Sequence, residues 1–339
     1  MSGDFVELTR PQQLAKNIVV VDGMPHVGKQ LVAQFISTIE RGEISVVNST
    51  IDNLCIASAF GKIQCDAAKA IINLSADMDL YNLMISRHTN FRKADDTGVF
   101  RNLVSARHQR RLSMTDGDPV VDRIRKACPI LTYMTHHLFG ISRPVLDAFG
   151  SRLKLFVVCV RHPLWVIDLW VRKKWHLRIG RELREFQMCC RVGNQNVPWF
   201  AGKWIPNYSK MMPVEQAVAV LQVFHDRYRD QMRRITPVEQ KKVLFVPYEL
   251  FTANPWPYLD QAAIRLKSRY TQLSHRMARS LSIPRPILTN LDIAVQQKKV
   301  EKMMRLENTP RVARRILDGL CHDYEQCLKN HNEKGTILR

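Results

Sequence analysis

The chain has 339 residues, 45% hydrophobic and 24% charged; that is enough for one large α/β domain with insertions or for two domains, and it excludes disorder over most of the length. Lys and Arg total 51 against 31 acids, a formal charge of +20, and so basic a chain attracts anions: nucleotides, sulfated or phosphorylated substrates, nucleic acid or an anionic membrane. No run of about 18 apolar residues occurs, the opening segment 1–17 lacks an apolar signal core, and the eight cysteines show neither CxxC pairs nor metal-ligand spacing; a cytoplasmic protein with reduced thiols is expected.

In chain order, Asn17 to Val21 is β-branched and apolar and stops at Asp22-Gly23, the pattern of a buried parallel strand. From Lys29, the residues Leu31, Val32, Phe35, Ile36 and Ile39 recur at helical spacing, so a helix starts inside a glycine loop and ends near Gly42. Ile44 to Val47 is a second strand, and residues 50–86 are helices with short breaks. Residues 87–126 hold ten Lys or Arg against five acids and read as a mobile insertion or an exposed face. Ile130 to Met134 is a short strand, Ser142 to Phe149 a short helix, and Leu153 to Val160 the most apolar strand of the chain. Pro163 opens a helix to Arg172, a position where its missing N–H has no partner to lose. Residues 190–212 read as a loop, Glu215 to Ile235 as a long amphipathic helix, Lys242 to Pro247 as a strand and Pro257 to Leu266 as a helix. Residues 267–300 show no clear period; with the helix Arg311 to Lys329, the stretch 267–339 makes a C-terminal helical extension.

Strands alternating with helices define an α/β fold, a three-layer parallel sheet with helical insertions in a single domain spanning 1–339. Ligands of such folds bind at the carboxyl ends of the strands. The residues of interest therefore follow Val21, Met134, Val160 and Val246.

After the first strand, Gly23-Met24-Pro25-His26-Val27-Gly28-Lys29 fits GxxxxGK. Glycines let backbone N–H groups close around a phosphate, the helix that follows points its positive end at the anion, and Lys29 adds a mobile charge. Such loops commonly end in Ser or Thr, whose hydroxyl holds magnesium. Gln30 stands here, so no metal is expected. Thr135-His136-His137 follows the Ile130 strand, and a histidine at such an edge is a candidate general base. Arg161-His162-Pro163 follows the Leu153 strand, placing a bidentate donor at the sheet edge. Tyr248-Glu249 follows the Lys242 strand, and the tyrosine ring is a candidate stacking face for a base.

Together these segments resemble the sulfotransferase superfamily, which transfers the sulfonate of 3′-phosphoadenosine 5′-phosphosulfate. Pro25 to Leu31 is similar to the family's PKSGTTW loop, Met134-Thr135-His136 to its KTH segment, and Val157 to Pro163 to its strand ending in R-[ND]-P. Tyr248-Glu249-Leu250 with Asn254-Pro255 is similar to its YED and DP segments, and the four matches run in family order across residues 17–260. The resemblance implies that Gly23, Pro25, His26, Val27, Gly28, Lys29 and Gln30 hold the 5′-phosphosulfate and Arg161 the 3′-phosphate, with Tyr248 near the adenine. It further implies that His136 takes the acceptor proton and that Lys29 stabilises charge on the departing oxygen. The chain departs from the family pattern at Leu169, where a serine eight residues after the arginine is usual, at His26 and Met134, where lysines are usual, and in showing no RKG segment.

Two other readings stand beside this one: a P-loop kinase of a small substrate, and a nucleotide- or nucleic-acid-binding protein that has lost the chemistry. A basic, aromatic stretch, Arg172 to Arg184 with Trp175 and then Trp199 and Trp204, suits an anionic or hydroxylated acceptor and keeps nucleic acid open as a partner. Residues 87–126 and 185–212 are the expected acceptor loops.

Overall fold

The computed structural model describes residues 6–95, 97–183 and 185–334, with backbone alone for 330–334. Two compact units emerge. The first holds the residues up to Cys159 with Ile235–Val246 and Asn254–Arg285; the second holds Val160–Arg234, Pro247–Ala253 and the residues from Pro286 onward.

The first unit is built on a five-stranded sheet in the order β2-β3-β1-β4-β7. The strands are β1 (Asn17–Gly23), β2 (Gly42–Val46), β3 (Ile130–Met134), β4 (Leu153–Val160) and β7 (Val243–Pro247); β5 (Cys189–Val192) and β6 (Gln195–Pro198) form a hairpin elsewhere. β1 runs parallel to both neighbours, β3 and β4, and β2 runs parallel to β3. This is the α/β class the strand–helix alternation predicts. β1 lies centrally, and Ile18, Val19, Val20 and Val21 are each at most 1% exposed. Each such side chain contributes roughly 1.5–3 kcal/mol on burial, so the strand that ends in the glycine loop is among the firmest elements of the unit.

Register decides what meets at the carboxyl edge. Val21 stands opposite Met134, and Gly23 opposite Cys159. The ladder continues beyond β3, with Thr135 N donating to Val21 O at 3.0 Å. The Thr135-His136-His137 segment is therefore held beside the end of β1 by backbone bonds.

The basic segment 87–126 carries two helices, Ser105–Arg111 and Asp118–Ala127. It is tied to β2 by Arg111, whose guanidinium grips the buried Glu43 at 2.7 and 2.8 Å. A carboxylate facing inward from a strand needs such a partner, and the segment supplies it. Residues 267–300, without clear period in the sequence, contain the helix Gln272–Ser280 and most of Asn290–Leu306. Both begin with reciprocal caps, Thr271 with Ser274 and Thr289 with Asp292, and these local bonds start helices that apolar spacing alone does not mark.

In the second unit the helices Pro163–Arg172, Pro213–Arg234, Asn290–Leu306 and Arg311–Lys334 pack on one another. Trp170, Trp199, Phe200 and Phe224 fill the space between elements of this unit, with Phe200 and Phe224 centroids 5.5 Å apart. The stretch 190–212, expected as loop, contains the β5–β6 hairpin, which turns at Gly193 with φ +58°. No helix among the described residues is long and apolar enough to cross a membrane.

Candidate active site

β1 ends in Asp22-Gly23, and both residues are fixed by what surrounds them. At Gly23 the backbone has φ +148°, and a Cβ there would lie 2.5 Å from the Cys159 carbonyl oxygen and 2.8 Å from Val27. Only glycine fits. The chain turns through Met24 to Val27 with His26 left-handed at φ +64°, then enters the helix Lys29–Ser37 from Gly28 at φ +92°. No side chain caps that helix start. Asp22, fully buried, accepts hydrogen bonds from Thr135 Oγ1 (2.8 Å), Leu138 N (3.0 Å) and Phe139 N (2.9 Å). One carboxylate thus ties the glycine loop to the turn after β3.

Lys29 points inward. It is only 7% exposed, and its Nζ donates to the Thr135 carbonyl at 2.7 Å. Burial pulls its ammonium down from 10.5 to about 8, against the opposing charges of Asp22 and Asp52. The next residue after its acceptor is His136, half-buried, with Nδ1 3.0 Å from Asp52 Oδ2. Asp52 lies in the first turn of the helix Ser49–Ala59. Burial raises its carboxyl, while the hydrogen bond to His136 works the other way. Its second oxygen, Oδ1, is buried without a hydrogen-bond partner.

The structure therefore brings together two of the predicted residues, Lys29 and His136, through the single carbonyl of Thr135. Gly23, Pro25, His26, Val27, Gly28 and Gln30 form the loop and helix start that carry Lys29. A proton on Nδ1 shared with Asp52 leaves the Nε2 lone pair of His136 to accept another. A cation, an oriented base and a carboxylate at one strand edge can stabilise developing negative charge and remove a proton in the same place.

Arg161 and Tyr248 belong to the second unit, where they meet. The Arg161 guanidinium lies 4.4 Å over the Tyr248 ring, and its Nε is 3.9 Å from Glu249 Oε1. Glu249 is 5% exposed and also accepts from His162 N (3.3 Å) and from the Tyr324 hydroxyl. Its carboxyl is raised by burial, which those bonds and Arg161 oppose. His162 caps the helix Pro163–Arg172 by accepting from Leu164 N at 3.3 Å, its Nε2 stands 3.3 Å from Glu325, and burial lowers its imidazole. Leu169 is half-buried on that helix. Arg184, part of the basic stretch, lies outside the described residues.

The sequence singles out Asp22 and Glu249 only as residues that follow strands, and Asp52 not at all. An acid closing an apolar strand, as Asp22 does, is a usable signal. Asp52 has none, because its partner lies 84 positions away. No group of three His, Cys, Asp or Glu side chains among the described residues is placed to hold a metal ion.

No family model matches the sequence, and no curated protein matches it. Solved structures that align with it include a sulfotransferase domain from the curacin biosynthetic pathway, at 11% identity and a TM-score of 0.41, covering 81% of this chain and 100% of that one. The sulfotransferase domain of the Synechococcus PCC 7002 olefin synthase gives 11% and 0.41 over 88% and 98% of the two chains. Sulfotransferase STF9 from Mycobacterium avium gives 11% and 0.40 over 87% and 77%.

Proposed function

We propose that the chain is a sulfotransferase, moving a sulfonate from 3′-phosphoadenosine 5′-phosphosulfate to an acceptor hydroxyl or amine. The observation that carries this reading is the buried Lys29 ammonium held 2.7 Å from the carbonyl that precedes His136, itself paired to Asp52. In the step, an acceptor oxygen forms a bond to sulfur as its proton passes to His136 Nε2. The bond from sulfur to the bridging oxygen of the 5′-phosphate breaks, and its electron pair leaves with 3′-phosphoadenosine 5′-phosphate. Lys29 offsets the charge that grows on that oxygen, and Asp52 orients the imidazole. Arg161 would take the 3′-phosphate and Tyr248 the adenine. A kinase reading loses ground at Gln30, whose amide replaces the hydroxyl that usually holds magnesium.

One observation weighs against Arg161 as the 3′-phosphate ligand: a buried carboxylate, Glu249, already faces it at 3.9 Å. Calorimetry with 3′-phosphoadenosine 5′-phosphate, and separately with ATP and magnesium, tests the donor class. Tight binding of the bisphosphate that weakens in Lys29→Met supports the proposal; binding of magnesium–ATP alone defeats it. Single-turnover transfer from the phosphosulfate, present in the wild type and absent in His136→Asn, separates an enzyme from a binder.

A further inference from the structure

Five large apolar side chains are crowded into water within residues 177–192: Leu177 (45% exposed), Leu183 (96%), Phe186 (83%), Met188 (37%) and Val192 (51%). A soluble surface usually scatters such side chains singly. This cluster sits on an anchored base. Ile179 is 4% exposed, Gly180 abuts the Cys189 sulfur, and Trp199 N donates to Met188 O at 3.2 Å where the β5–β6 hairpin begins. The exposed apolar side chains thus lie on a segment anchored at Ile179-Gly180 and again at Met188.

The charge around them has one outward sign. Lys173, Lys174, Arg181 and Arg191 are exposed on the same stretch, while Arg172 turns to Asp168. Its two acids, Glu182 and Glu185, both turn to Arg178.

We propose that this segment docks on an anionic membrane surface. Leu183 and Phe186 enter the boundary between headgroups and acyl chains, while the surrounding Lys and Arg side chains meet phosphate and carboxylate headgroups. Apolar insertion and a basic patch are each weak alone and together give stable, reversible attachment. The composition of the patch separates this occupant from others. A single-stranded nucleic acid needs a row of open aromatic faces, yet Phe186 is the one exposed ring among the described residues of this stretch: Trp199 is 1% exposed and Trp175 lies under the Arg178 guanidinium at 4.6 Å. A second copy of the chain would bring like charges face to face. The inference does not depend on the sulfonate-transfer reading.

The test is co-sedimentation of the full chain with vesicles of phosphatidylcholine alone or with about a third phosphatidylserine. Binding is expected on the anionic vesicles only, and weakened about tenfold or more either by half-molar salt or in Leu183→Ser/Phe186→Ser. Both substitutions remove exposed side chains, so the melting temperature should stay put. In Phe186→Trp the indole emission should move to the blue on anionic vesicles. The proposal is overturned by absence of sedimentation, by sedimentation indifferent to the double substitution, by an unshifted indole in bound protein, or by a lipid-free dimer that the double substitution dissociates.

Discussion

Lys29→Met probes what the buried ammonium is for. A structural cation stabilises its fold; one kept for a ligand costs stability until the ligand arrives. The fall from 10.5 to about 8 corresponds to about 3 kcal/mol by which the fold disfavours the ammonium over the neutral amine. Methionine has similar reach and no charge, so the substitution removes that cost. It also strands the Thr135 carbonyl, which loses its 2.7 Å donor at about 1–3 kcal/mol. The free variant should then be as stable as the wild type, or more stable by up to about 2 kcal/mol, while losing anion affinity by about tenfold or more.

The pH dependence fixes the sign. Below about pH 8 the lysine is protonated in both folded and unfolded chains, and the full cost stands. Between about 8 and 10.5 the unfolded chain holds more protons than the folded one, so wild-type stability gains with rising pH; above 10.5 the cost is gone. Any advantage of Lys29→Met should therefore shrink across that window. Urea unfolding of both proteins at about pH 7, 8.5 and 10 reads the gap directly. A variant more than about 1 kcal/mol less stable at pH 7, with unchanged bisphosphate affinity, would refute the assignment of Lys29 as a ligand-directed charge.

The remaining predictions use other readouts. A phosphosulfate or bisphosphate placed beside Lys29 should restore its proton, so binding above about pH 8 should take up protons, seen as calorimetric heats that vary with buffer ionisation enthalpy; heats independent of buffer would count against the contact. His136→Asn should cut single-turnover transfer by about 10²–10⁴ with nucleotide affinity nearly intact, and Asp52→Asn should cut it less, because the ring keeps a hydrogen-bond partner; equal affinity losses in both would move these residues from chemistry to binding. Gly23→Ala puts a methyl 2.5 Å from the Cys159 oxygen at a positive φ, and should lower stability by more than about 2 kcal/mol in thermal melts; a neutral effect would mean the loop relaxes freely.

The sheet was legible because its strands are buried on both faces. Val19 to Val21 and Leu153 to Val160 carry no alternation to misread, and a glycine or a charged residue ends each run. What escaped are elements started by side-chain-to-backbone bonds. Thr271 with Ser274 and Thr289 with Asp292 begin helices whose faces are mostly exposed, so apolar spacing is faint there. The hairpin at 189–198 escaped because its strands are four residues each, too short for a period-two pattern to stand out.

The candidate site divides along the same physical line. Lys29 and His136 could be picked out on different grounds: Lys29 closes the GxxxxGK loop, and His136 sits just after an apolar run, where parallel register delivers it to the carboxyl edge. That Thr135 joins them follows from register too, since Val21 stands opposite Met134 and the ladder runs one residue further. Asp52 could not be found this way, and Glu249, two residues past β7, could be located but given no role. Each is an acid on a helix, and its role comes from tertiary packing that buries it against a cation or an imidazole. The groups legible in the sequence are therefore those that a strand or its following loop brings to the carboxyl edge. Asp52, which holds the His136 ring by Nδ1 at 3.0 Å and leaves Nε2 as the nitrogen open to a further proton, is the partner the sequence leaves out.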